Sequence, residues 1–345
     1  MTEPYTAAVL QTQVRVLRRA EERDSVIKEQ LDHILGLLDL KGFMGARPKI
    51  VVFPEFTING VFLDGGKERS HNDWKKISIQ IPGDETDKLA KKAVEKDMYI
   101  VSHGLEVDDA WPDRFFNTAF LLDSKGKMIL RYRKNNCSNL WGFYTVTTPG
   151  DVFSEYEKKY GKNSAFPVVD TPLGKIGILV CHDIVYPEVA RCLTLNGAEL
   201  LVQPTDEGIQ TLMSIRGGVP LRRVRAYENC AYLLTANAGS YIGGLPSQNA
   251  AGGSSAINFN GEVMAEIPYP GEAQINFQID LETLRKKRQM GTNILVNLKP
   301  QLYAPVYQNA NGIPNDSWLG RPMLDAQEGL VLSTKVAKKM YPSSS

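Results

Sequence analysis

The order of apolar and polar positions along the chain predicts alternating strands and helices. An apolar run over 5–16 reads as a strand. Ile27, Leu31, Ile34, Leu35 and Leu38 then recur at helical spacing and give one apolar stripe. A short apolar strand over 49–53 is closed by Pro54, and 84–96 reads as a helix with Leu89 and Ala93 inward. Strands follow over 98–104, 118–123 and 127–134. Ser124, Lys125 and Gly126 supply a hairpin signal between the last two. A buried strand over 175–180 leads to a helix opened by Pro187 and ended near Asn196 and Gly197, as expected of Pro in a first turn and Gly past a last one. The series 200–203, 221–229 and 232–236 continues the alternation. Asn260-Gly261 then marks a second hairpin, and 274–279 is a last strand. The pattern specifies an α/β protein whose sheets are covered by helices. Residues 295–345 differ, with five prolines and weak periodicity, and read as an extended C-terminal tail.

Composition narrows the class. The chain has 345 residues, 43% of them hydrophobic and 23% charged, which suits a soluble globular protein with a core of its own. Forty basic residues against 39 acidic leave a formal charge of +1, so neither a nucleic-acid nor an anionic-membrane footprint is present. No apolar run is long enough to span a bilayer, and residues 1–16 lack the pattern of a targeting signal. A cytoplasmic location is expected. Four cysteines are too few for a disulfide scaffold.

Three places could carry chemistry. Cys181 ends an apolar strand six residues before a helix, where a nucleophile would be exposed beside free backbone amides; a core cysteine fits the same pattern. None of the four histidines, His33, His71, His103 and His182, has metal-ligand spacing, and each reads as structural or solvent-facing. A carboxylate base is therefore sought. Glu55 follows a buried strand among Phe53, Phe56 and Ile58, where desolvation would raise its pKa; a glutamate turning to solvent fits equally. Period-2 alternation puts Lys134 on the apolar face with Met128, Leu130 and Tyr132, at the edge of the core, where a snorkelling lysine is the plain alternative.

Together, Phe53-Pro54-Glu55, Tyr132-Arg133-Lys134 and the Cys-His-Asp-x-x-x-Pro-Glu-x-x-Arg run over 181–191 resemble the nitrilase superfamily of carbon–nitrogen hydrolases. The likeness extends over most of residues 5–285. It implies a nitrilase-like four-layer α-β-β-α sandwich of two mixed sheets over 1–285. The extension over 286–345 would wrap a neighbouring subunit of a homodimer or a higher even-numbered oligomer. It also implies a Glu-Lys-Cys triad, with Glu55 as general base, Cys181 as nucleophile and Lys134 with the His182 backbone amide at the oxyanion. No metal and no organic cofactor is expected.

Cys-His-Asp rather than Cys-Trp-Glu favours an amide over a nitrile, and the sequence looks closest to formamidases and aliphatic amidases. Those enzymes carry a second glutamate soon after the lysine. Here 135–151 contains none, and Gly142 and Phe143 stand in the region. Glu155 and Glu157, further on, are candidate substitutes. Trp141, Phe143 and Tyr144 would line a pocket for a larger acyl group, with Asn136, Tyr186, Thr205 and Glu207 as further pocket candidates. The expected activity is hydrolysis of a small carboxamide to acid and ammonia. The alternatives are an N-carbamoyl hydrolase, for which Arg222, Arg223 and Arg225 would supply a carboxylate clamp, a nitrilase, and a catalytically silent binding scaffold.

Overall fold

The computed structural model describes residues 3–40, 45–62, 69–136, 145–208, 218–243 and 250–342. Apolar strand residues build two large sheets. The first runs in the order β16 (Ala273–Ile279), β1 (Tyr5–Gln11), β3 (Ile50–Val52), β6 (Tyr99–Val107), β7 (Phe116–Leu122) and β8 (Met128–Arg133), with β5 (Ile79–Gln80) beside β6. The second runs β15 (Val263–Ile267), β14 (Ser254–Ile257), β12 (Tyr232–Asn237), β11 (Leu200–Thr205), β10 (Gly174–Ile178) and β9 (Val168–Thr171). Both are mixed: β1, β3 and β6 are parallel in one, and β10, β11 and β12 in the other.

The buried side chains divide by face and so define four layers. Val9, Val52, Val101 and Tyr132 of the first sheet pack against Ile176, Ile178, Val202 and Leu234 of the second. The outer face of the first sheet is covered by α1 (Arg23–Asp39), through Ile27, Leu31, Ile34 and Leu38. After α2 (His71–Lys76), helix α3 (Asp84–Lys96) adds Leu89 and Ala93 to the same cover. Beyond α4 (Phe153–Tyr160), the outer face of the second sheet is covered by α5 (Pro187–Leu195), which buries Val189, Ala190 and Leu193. Helix α6 (Gly218–Asn229) adds Ala226 there. The architecture is the α-β-β-α sandwich expected.

Three details depart from the sequence reading. The strand anticipated over 5–16 is two strands: Thr12 separates β1 from β2 (Gln13–Leu17), which joins β13 (Ser240–Ile242) and β4 (Val61–Phe62) in a small sheet at one end of the sandwich. A register shift at Leu121/Leu122 turns Met128 to the helix-covered face, so Leu130 and Tyr132, but not Met128, share the inter-sheet face. The tail is not extended: after α7 (Leu281–Gln289) it contains α8 (Pro300–Gln308) and α9 (Ala326–Met340). Pro300 sits in the first turn of α8, where a missing N–H costs nothing, so that proline starts a helix. The segment between α8 and α9 lies against its own chain: Asp316 N–H donates to Gly150 O (2.9 Å), Trp318 N–H to Asp151 O (3.1 Å) and Arg114 to Leu319 O (3.0 Å).

Candidate active site

Strand β3 is buried throughout, and Pro54 stops its ladder because it has no N–H to donate. Glu55 follows at the strand end, 2% exposed, and its own N–H reaches Thr205 O on β11 (3.3 Å), tying the two sheets at this point. Its Oε1 accepts hydrogen bonds from Lys134 Nζ (2.9 Å) and Asn117 Nδ2 (2.7 Å). The orientation of Asn117 is itself dictated. His103 Nδ1 accepts the Phe56 N–H (2.9 Å), so a neutral ring carries its proton on Nε2. That nitrogen, 2.6 Å from Asn117 Oδ1, donates to it and leaves the Asn117 amide to donate to Glu55. Burial lowers the His103 pKa to about 4, which keeps the ring neutral. Burial alone would raise the Glu55 carboxyl, as the sequence suggested. The charge and hydrogen bond of Lys134, with the Asn117 hydrogen bond, outweigh it and hold the carboxyl below its ordinary value.

Lys134 leaves β8 on the inter-sheet side, one step past Tyr132, and is 3% exposed. Its N–H is fixed by Asn117 O (2.9 Å), so one asparagine holds both the lysine backbone and the glutamate side chain. Arg133 points the other way and pairs with Glu106 (2.8 Å).

Cys181 stands three residues past β10, in a left-handed backbone conformation (φ +46°) that non-glycine residues seldom adopt. It starts a single turn of 3-10 helix over Cys181–Val185 before α5. The turn is pinned by Gln203 Nε2 donating to Cys181 O (3.1 Å) and by Asp183. The Asp183 carboxylate accepts from Val180 N–H (2.9 Å), Tyr132 Oη (2.7 Å) and Asn136 N–H (2.8 Å). Asp183 therefore joins the cysteine turn to the loop that follows Lys134. Burial and the negative charge of Glu55 push the Cys181 thiol well up, while Lys134 and the Thr205 hydroxyl pull it down. The resting site thus holds a protonated thiol, an ionised carboxylate and a lysine that neutralises it.

The other candidates separate. Asn136 and Tyr186 line a cavity of about 240 Å³ together with tail residues including Pro314, Trp318 and Leu332. Thr205 donates to Glu207 Oε1 (3.2 Å), and Glu207 pairs with Arg222 (2.8 Å). Glu155 and Glu157 lie on α4, where Glu155 pairs with Lys159 (3.4 Å); neither has a recorded contact with the Glu55–Lys134 pair among the described residues, and the acids in the field of Lys134 include Asp183 and Asp206. Trp141, Phe143 and Tyr144 fall outside the described residues. The proposed arginine clamp is committed elsewhere: Arg222 to Glu207, Arg223 to Gly261 O, and Arg225 to Ile184 O, Val185 O and Glu228. Sequence reasoning read His103 as structural or solvent-facing and passed over Asn117 and Tyr241. A buried polar pair inside two otherwise apolar strands was the available signal for the first two.

The family model for carbon–nitrogen hydrolases matches residues 6–289. Human omega-amidase NIT2 is 29% identical over 215 residues, which is 61% of this chain and 71% of the relative. A formamidase of Bacillus cereus (strain Q1) is 30% identical over 244 residues, 69% of this chain and 64% of the relative. Among solved structures, a carbon–nitrogen hydrolase from Helicobacter pylori G27 superposes with a TM-score of 0.66 at 20% identity, covering 89% of this chain and 99% of that one. An amidase from Nesterenkonia sp. AN1, a double mutant in complex with acrylamide, gives 0.61 at 19% identity, over 88% and 97%. The chain belongs to the carbon–nitrogen hydrolase family and is a hydrolase of carbon–nitrogen bonds.

Proposed function

We propose that the protein hydrolyses a small carboxamide to a carboxylic acid and ammonia through a thioester on Cys181. The observation that carries this reading is the buried Glu55–Lys134 pair at 2.9 Å facing a cysteine on a left-handed turn. A thiol pushed up by burial is not a thiolate at rest, so its proton leaves as the carbon–sulfur bond forms. Glu55 accepts that proton while the sulfur attacks the amide carbon. The oxyanion is met by the Lys134 ammonium and the His182 N–H; one such donor is worth roughly 10²–10³ in rate. Glu55 then returns the proton to the departing nitrogen, and ammonia leaves. Water adds to the thioester with Glu55 again as base, and the acid departs as the thiol is restored. No step calls on a metal or an organic cofactor.

The relatives whose names include omega-amidase and formamidase, and the neighbour bound to acrylamide, support an amide substrate. The N-carbamoyl alternative loses its ground, because the three arginines it would use already have partners. No helix among the described residues is long and apolar enough to cross a membrane, which suits the cytoplasmic location proposed here. An ammonia-release screen over formamide, longer aliphatic amides, ureido acids and nitriles tests the reading. Release from an amide by the native enzyme and none by Cys181→Ala is the expected result. Unchanged turnover by Cys181→Ala would overturn it.

A further inference from the structure

The acids around the thiol are not equally compensated. Glu55 has Lys134, Glu207 has Arg222, and Asp183 receives three hydrogen bonds. Asp206 receives one, from the Tyr241 hydroxyl to Oδ1, and no cation lies within ion-pair distance of it among the described residues.

Its position matters. Asp206 directly follows Thr205, whose carbonyl accepts the Glu55 N–H and whose hydroxyl acts on the Cys181 thiol. Tyr241, on β13 of the small sheet, lies in the field of both Cys181 and Glu55. The pair therefore borders the site from the end capped by that sheet. Burial raises the Asp206 carboxyl to about 7; the charges of Glu55 and Glu207 push the same way, against the Tyr241 hydrogen bond and Lys134. Such a carboxylate is stabilised by a ligand that brings a positive charge or hydrogen-bond donors, and disfavoured by one that brings a second anion.

We propose that Asp206, held by Tyr241, is a specificity-determining residue that favours amides with an ammonium group on the acyl chain and excludes amides with a carboxylate there. The inference rests on the amidase reading and adds the charge of the substrate to it. It sets this site apart from one built to take the monoamide of a dicarboxylic acid.

Three amides of similar length test it at pH 8, where Asp206 is largely ionised: 3-aminopropanamide, propionamide and succinamate. The native enzyme should show a kcat/KM for 3-aminopropanamide at least about tenfold above that for succinamate, mainly through KM. Asp206→Asn should bring the two within about threefold by raising the succinamate value and lowering the other. Tyr241→Phe, which removes the tether and keeps the charge, should retain more of the preference than Asp206→Asn does. A native enzyme that favours succinamate, or a preference that Asp206→Asn leaves intact, overturns the inference and leaves the amidase reading standing. Ammonia release from no amide of the set or of the wider screen overturns both.

Discussion

At the scale of single residues, the proposed chemistry depends on one carboxylate, Glu55, kept ionised inside the protein. Asn117 is a positioning residue for it, since it donates to Glu55 while its backbone carbonyl holds Lys134. A hydrogen bond to a charged group is worth about 1.5–3 kcal/mol. Asn117→Ala should therefore lower kcat/KM by about 10- to 100-fold. The sign of the pH effect follows from the same bond. Asn117 helps hold the Glu55 carboxyl down, so its loss raises that pKa, and the acid limb of the kcat/KM profile should move to higher pH. A loss of rate with an unmoved limb would mean that Asn117 acts only on packing. Glu55, Lys134 and Cys181 stood out in the sequence because each ends an apolar strand, where a charged or nucleophilic side chain breaks the pattern; their roles as a triad came from the family resemblance. The supports did not stand out. Asn117 and His103 sit inside strands, and nothing in the strand pattern says that a polar residue there faces a carboxylate from another strand.

At the scale of elements, the second sheet is fastened to α6 by a buried ion pair. Arg222 is fully buried, pairs with Glu207 at the end of β11, and donates to Gly253 O just ahead of β14. Arg222→Leu leaves a buried carboxylate uncompensated and should destabilise the fold by about 3–5 kcal/mol in urea unfolding. Adding Glu207→Gln should recover part of that loss, because the stranded charge is then gone. A double variant no better than the single one would assign the cost to packing instead. Element periodicity showed α6 as a helix and β11 as a strand, but their ion pair depends on tertiary placement. That is why the same arginines could be read as a substrate clamp. The break at Thr12 was hidden for a related reason: both halves of the 5–16 run carry apolar residues, and only pairing in two different sheets separates them.

At the scale of the whole molecule, the alternation of strands and helices points to helix-covered sheets and the family resemblance to four layers, while neither describes the tail. Its prolines suggested extended chain, whereas the fold uses one of them to start a helix. The tail helices also leave apolar side chains outside: Leu302 is 65% exposed, Val306 71% and Val331 67%. We propose that these faces meet a second copy of the chain in an even-numbered homo-oligomer, with 286–345 as the extension that makes the contact. Val306→Asp with Val331→Asp should reduce the particle mass measured by light scattering while the unfolding midpoint of each subunit stays close to native. Unchanged mass would remove the tail from the interface.

The central claim is that chemistry passes through a covalent bond to one sulfur. The direct measurement is intact-protein and peptide mass spectrometry of enzyme quenched during turnover of an amide that it hydrolyses. The account predicts a mass gain equal to the acyl group, carried on the peptide containing Cys181, released by hydroxylamine and absent from Cys181→Ala. Steady ammonia release from an enzyme that never carries the acyl group, with Cys181→Ala retaining turnover, would contradict it.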